Sequence, residues 1–75
     1  MSVAKIIEIS SRSEQSFEHA IREGVLRASS SLRNVTSAWV KEQSIDIRDG
    51  EIRGFRVNLM VTFLLDDEDA DEDDQ

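Results

Sequence analysis

The sequence contains no cysteine and no proline, and its aromatic residues are one tryptophan and three phenylalanines in 75 positions. Without cysteine the chain has no disulfide, no thiolate metal site and no cysteine nucleophile. His19 is the only histidine, and no motif marks Lys5 or Lys41 as a partner for a nucleophilic serine. These absences predict a protein that is not an enzyme, and they mark no residue as a metal ligand.

Basic residues are also scarce, because nine Lys and Arg stand against sixteen Asp and Glu, for a formal net charge of −7. This balance gives no electrostatic footprint for nucleic acid. The longest apolar runs, such as residues 59–65, are far shorter than the roughly 20 residues that a membrane helix needs. The start, MSVAKIIEISS, lacks the features of a signal peptide. We expect a cytoplasmic protein that binds neither nucleic acid nor membranes.

The negative charge is concentrated at the C-terminal end, where residues 66–75 read DDEDADEDDQ and hold eight of the sixteen acidic residues. A block of like charge usually repels itself and solvates a chain. Its carboxylates are also ligands that calcium or magnesium prefers, although the glycine turn and graded ligand spacing of an EF-hand loop are missing. We predict one domain over residues 1–65 and a disordered acidic tail over residues 66–75.

The small size of this domain predicts self-association. A chain of about 60 residues buries only about 60% of its unfolded surface and is marginally stable alone. With no disulfide and few aromatic residues, the simplest source of additional buried apolar area is another copy of the chain. We therefore expect an oligomer.

The first half of the chain predicts a strand and a helix. Residues 3–9, VAKIIEI, are rich in β-branched residues and partly alternate, which indicates a strand. Apolar residues then recur at spacings of three and four, which predicts a helix over about residues 14–33. Its start has two interpretations: Ser11 and Glu14 form a capping box, or Ser13 is the N-cap with Glu14 in the first turn.

The second half predicts a hairpin. Residues 38–47 alternate in twos, and residues 55–65 form the strongest alternating apolar set in the chain. Asp49-Gly50 lies between them and is typical of a tight turn, because glycine supplies a positive φ. The predicted class is α+β with the order β-α-β-β, in which the first two strands are parallel and the third lies antiparallel between them.

One helix covers only one face of such a sheet. The uncovered face carries Met60 and Leu64 among polar residues, which is more apolar than a solvated surface requires. Trp39 either fills a core or an interface, or serves as a stacking platform for a planar ligand. Gln43, predicted on the same strand face, and Arg56 on the hairpin partner would then contact the ligand's edges. Alternatively, Arg56 pairs with an acid across the strands.

The segments AKIIEISSRSEQSFEHAIREGVLRA and GFRVNLMVTFLLDD, together with the length and the element order, resemble the dodecins. The resemblance spans residues 4–67. It implies a β-α-β-β protomer with an antiparallel sheet wrapped around its helix, assembled as a hollow homododecamer. It also implies a non-enzymatic role: binding, storage and sequestering of riboflavin or FMN.

In flavin-binding dodecins, a tryptophan early in the second strand stacks on the isoalloxazine ring, and a glutamine in the third strand contacts the pyrimidine edge. An ungapped alignment places Ser37 at the tryptophan position, with Trp39 two residues further along the same face; a two-residue insertion before the strand with a shorter hairpin would restore the register instead. Arg56 stands at the glutamine position and removes an acceptor for the ring N–H. We therefore predict Trp39, Arg56, Gln43 and Ser37 as flavin-binding residues. The alternative is a dodecin-like shell that binds a metal ion such as calcium or another cofactor such as coenzyme A.

Overall fold

A computed structural model describes residues 2–65 of the chain. It contains strand β1 (Ala4–Ser13), helix α1 (Phe17–Ser31), strand β2 (Val35–Arg48) and strand β3 (Glu51–Leu64). The predicted α+β class and the order β-α-β-β are confirmed. The acidic segment 66–75, which the sequence predicts to be disordered, lies outside the described residues.

The three strands form an antiparallel sheet in the order β1-β3-β2, so β3 is central, as predicted. Its alternating apolar residues Val57, Leu59 and Val61 are almost fully buried beneath α1. The strong alternation of this segment follows from its place, because a central strand covered on one face must present an apolar residue at every second position. The single described helix is too short and too polar to cross a membrane.

The helix begins later than either predicted position. Ser16 is the N-cap, and its hydroxyl accepts a hydrogen bond of 2.9 Å from the backbone N–H of His19. The predictions of Ser11 or Ser13 as the cap are wrong, because β1 remains paired with β3 through Ser13. The Ser13 hydroxyl accepts from the backbone N–H of Gln15 at 2.9 Å and so stabilises the turn that precedes the helix.

The predicted turn at Asp49-Gly50 joins β2 and β3. Asp49 has a φ of 54° and Gly50 a φ of 77°, the pair of positive values that a tight two-residue hairpin of this kind requires. The two strands are each 14 residues long, several residues longer than the periodicity indicates. The additional residues are mostly polar or exposed, so they leave no apolar alternation in the sequence.

Strand β2 contains a bulge that changes which residues face the helix. Its register with β3 shifts at Lys41, so that Trp39 lies opposite Met60 while Gln43 lies opposite the buried Val57. Met60 and Val57 are three positions apart in one strand and therefore point to opposite faces. The prediction that Trp39 and Gln43 share a face is wrong, because the extra residue exchanges the faces of the positions from Glu42 to Asp46, where the next register shift follows.

The single chain buries little apolar surface. Five hydrophobic residues of the described chain are buried, whereas nine large ones are exposed. Exposed apolar surface of this extent is typical of a surface that another chain covers. The distribution supports the prediction of self-association. The exposed residues are Val3, Ile6, Leu26, Trp39, Val40, Ile45, Ile47, Ile52 and Leu65.

Candidate functional site

The sheet surface opposite α1, which we call the open face, carries the candidate site. Trp39 projects from this face at the β2 side and is 51% exposed. It forms one row across the sheet with Met60 of β3 and Glu8 of β1, because each lies directly opposite its neighbour in the strand pairing. Ser37 belongs to the same face, in the next row, opposite Thr62. An indole that is half exposed beside a flexible thioether side chain suits a planar apolar ligand.

Arg56 also lies on the open face, but one chain does not bring it to Trp39. It is four residues from Met60 along β3, which is roughly 13 Å at the rise of a β-strand. Its Nη2 donates to Asp46 Oδ2 at 3.0 Å. Of the two interpretations of Arg56 from the sequence, the structure therefore shows the pairing with an acid across the strands.

Asp46 ties all three strands together at this end of the open face. Arg12 Nε of β1 donates to the same Oδ2 at 2.7 Å, and Arg12 Nη2 donates to the Arg53 carbonyl at 3.3 Å. The hydrogen bond from Arg12, assisted by the charge of Arg56, lowers the pKa of Asp46. The same bond to Asp46 raises the pKa of Arg12. This network links the three strands at this end of the open face. It also occupies the guanidinium groups of Arg12 and Arg56, with which a ligand would have to form its contacts.

A second polar cluster, which we call the Glu8 trio, lies at the β1 end of the tryptophan row and includes Glu8 itself. Lys41 Nζ donates to Glu8 Oε1 at 3.2 Å, and Asn58 Nδ2 donates to Glu8 Oε2 at 3.2 Å. Glu8 is 33 and 50 positions away from these partners along the chain. Sequence reasoning missed the trio, since strand alternation assigns faces but does not identify partners across strands. The bulge that aligns Lys41 with Glu8 leaves no signal in the sequence either.

The lone histidine belongs to a constellation that resembles a nucleophilic triad. Ser13 Oγ and His19 Nδ1 are 2.7 Å apart, and His19 Nε2 is 3.9 Å from Glu23 Oε2. However, Ser13 is only 6% exposed, and its hydroxyl accepts a hydrogen bond from the backbone N–H of Gln15. A substrate has no open approach to the oxygen. The constellation instead connects the end of β1 to the first turns of α1.

Among residues 2–65, concave regions lie beside the helix and at the hairpin. An apolar cleft of about 330 Å³ lies between α1 and β2 and is bordered by Ser37 and Trp39. A larger cleft of about 610 Å³ separates α1 from β1, and a polar one of about 800 Å³ lies at the hairpin beside Arg12 and Asp46. Within residues 2–65, no three His, Cys, Asp or Glu side chains lie close enough together to hold a metal ion.

Comparison with known proteins identifies the fold. The Dodecin family model matches residues 3–66. The dodecin of Streptomyces davaonensis is 32% identical, with a TM-score of 0.83 over 88% of this chain and 97% of that one. A variant of the Thermus thermophilus dodecin is 31% identical, with a TM-score of 0.84 over 89% of this chain and all of that one.

A third similar structure, described as a calcium-chelating antigen and calcium dodecin from Mycobacterium tuberculosis, is 35% identical, with a TM-score of 0.76 over 89% of this chain and 96% of that one. No curated protein sequence matches the chain. The family model spans nearly all of the described residues, and the protomers of these structures share the β-α-β-β order around one helix. The chain belongs to the dodecin family.

Proposed function

We propose that this chain is a non-enzymatic flavin-binding protein that stores and sequesters riboflavin or FMN. The observation that carries the proposal is the half-exposed Trp39 on the open face of a dodecin fold. Stacking between aromatic rings contributes about 0.5–1.5 kcal/mol beyond the area that it buries. Met60, directly opposite Trp39, adds an adaptable apolar surface beside the ring.

Ser37 forms the adjoining part of the proposed site. It lies two residues from Trp39 on the same face, opposite Thr62, and is exposed. A small side chain at the family's tryptophan position leaves room beside the indole, so the ligand ring is displaced by roughly 6–7 Å along β2. Gln43 is not part of this site, because its pairing with Val57 places it on the other face of the sheet.

The proposed partners are other copies of the same chain, assembled as a homododecamer. The few buried hydrophobic residues of the single chain and its exposed apolar side chains support an assembly, and the similar structures are dodecins. In such an assembly, we expect the stacked tryptophans and flavins at subunit interfaces. Arg56 is four residues from Met60 along β3, so its predicted contact with the ring would come from a neighbouring chain. The cytoplasmic location stays a prediction from the sequence.

A second candidate function is cation binding by a shell that holds no flavin. The similarity to the calcium dodecin of Mycobacterium tuberculosis favours it. The densest carboxylates of this chain are in residues 66–75, and carboxylate oxygen is the ligand that calcium prefers. Calorimetric titration with calcium, in the full chain and in a chain ending at residue 65, separates this candidate from the first. Binding of another cofactor, such as coenzyme A, is part of the same alternative function.

Flavin fluorescence tests the first proposal. Riboflavin and then FMN are titrated into the purified protein at low and high salt, and we expect saturable quenching, because a flavin stacked on an indole loses its emission. Trp39→Ala should remove most of the affinity, while Trp39→Phe, which keeps a stacking ring, should retain part of it. Size-exclusion chromatography checks that both variants keep the wild-type assembly. Absence of quenching with either flavin would contradict the proposal.

A further inference from the structure

The Glu8 trio has unused hydrogen-bonding capacity toward solvent. An ammonium group has three donors and an amide nitrogen two, and Lys41 and Asn58 each spend one on Glu8. A carboxylate accepts about four hydrogen bonds, of which Glu8 receives these two. The side chains of Lys41 and Glu8 are 50% and 40% exposed. Free donors therefore remain at each oxygen of a carboxylate that can itself accept further hydrogen bonds.

The order of these groups is donor, acceptor, donor. Lys41 and Asn58 both reach Glu8 from the β3 and β2 side of the sheet, but they bind different oxygens, so the carboxylate links the two donors in the chain of hydrogen-bonded atoms. The complementary ligand edge reads acceptor, donor, acceptor, which is the edge of a cyclic imide: an N–H between two carbonyl groups. Carbonyl oxygens suit the two nitrogen donors, and the ring N–H suits the carboxylate.

The trio lies where a ring on Trp39 would present its edge. Glu8 and Trp39 flank Met60 in one row, so their Cα atoms are roughly 10 Å apart, or two strand spacings. A fused ring that extends from the indole across Met60 would present one end to Glu8. Arg56 cannot accept from an imide N–H, since a guanidinium has donors only. It is also bound to Asp46.

We propose that Glu8, together with its two hydrogen-bond donors Lys41 and Asn58, reads the imide edge of the planar ligand stacked on Trp39. This inference rests on the proposed function and narrows it, because it assigns the acceptor for the ring N–H. It predicts a site that is selective for rings with an intact imide. The residues that contact the imide all belong to one chain. Planar rings without that edge should stack on Trp39 with lower affinity.

A ligand pair tests the proposal on the unaltered protein. Riboflavin and riboflavin methylated at the imide nitrogen are titrated separately, and quenching gives the two dissociation constants. A hydrogen bond to a charged acceptor corresponds to roughly a tenfold to hundredfold difference in affinity, so the methylated ring should bind more weakly by that factor. Equal binding would overturn the imide proposal and leave stacking on Trp39 standing. Binding of neither ring would overturn both.

Two matched variants show whether Glu8 is responsible. Glu8→Met removes the acceptor, and Glu42→Met removes one negative charge from the next row of the same face, where Glu42 lies opposite Asn58. We expect Glu8→Met to bind both rings about equally and Glu42→Met to discriminate as the wild type does. Discrimination that persists in Glu8→Met, or that disappears in Glu42→Met, would overturn the assignment. If Glu8→Met fails to assemble, the ligand pair on the wild type still decides whether the imide is read.

Discussion

The close approach of α1 to the sheet at Gly24 predicts that Gly24→Ala destabilises the protein. A Cβ atom there would lie 3.0 Å from Leu59 Cδ1 and 3.1 Å from Ser11 Cβ. Leu59 is 1% exposed, and Ser11 is held by the hydrogen bond that its hydroxyl donates to the Ala20 carbonyl at 2.7 Å. Neither neighbour can retreat without moving β1 or the core.

Two opposing terms set the size of the effect. Alanine is favoured over glycine within a helix by about 1 kcal/mol, whereas inserting a methyl group into a tightly packed contact costs about 1–3 kcal/mol. We expect the contact to prevail, with a net loss of about 1 kcal/mol. Because the methyl group pushes α1 away from β3, the loss should appear as a lower denaturation midpoint.

Urea unfolding followed by circular dichroism measures this change, at one fixed protomer concentration because self-association adds to apparent stability. The control is Ser29→Ala, on an exposed helix position, which should stabilise by a few tenths of a kcal/mol through helix propensity alone, about 0.5 at most. A Gly24→Ala protein as stable as the wild type, or more stable, would refute the packing argument.

Two further predictions concern the ends of the sheet and the helix. The stability that Asp46 contributes is present above its ordinary pKa of 3.8 and is lost as the pH falls through the lower pKa of the folded protein. Asp46→Asn should therefore flatten the dependence of the urea midpoint on pH between pH 6 and pH 3, and an unchanged curve would contradict the pairing with Arg12. Ser16→Ala should cost about 1 kcal/mol by removing the cap on the His19 N–H, while Ser30→Ala, near the other end of α1, should cost less. Equal losses in thermal or urea unfolding would show that the cap is not the cause.

The sequence predicted those parts of the fold that leave a periodic or a local signal. The alternation in residues 55–65 reflects burial beneath α1, and Asp49-Gly50 marks the turn through backbone sterics alone. The predicted helix start was wrong because several serines precede the helix, and the side chain of each can act as an N-cap. The choice among them depends on how far β1 pairs with β3, which is a tertiary interaction.

The candidate site was predictable only in its apolar half. Trp39 is conspicuous as the sole tryptophan, and the structure places it on an exposed face. Its polar neighbours depend on register, and the register of β2 depends on a bulge that alternation does not reveal. For that reason alternation assigns Gln43 to the wrong face, and it gives no sign that Glu8 meets Lys41 and Asn58.

The bulge at Lys41 divides β2 into two segments whose inward and outward positions are out of phase. Deleting that one residue would restore alternation between Ser37 and Asp46 and force one of the two segments to turn over. Either Trp39 would rotate toward α1, or the segment beyond Glu42 would exchange its faces and carry Asp46 away from Arg12. A single codon at this point thus determines whether the tryptophan and the arginine network occupy the same surface, even though no side chain elsewhere changes.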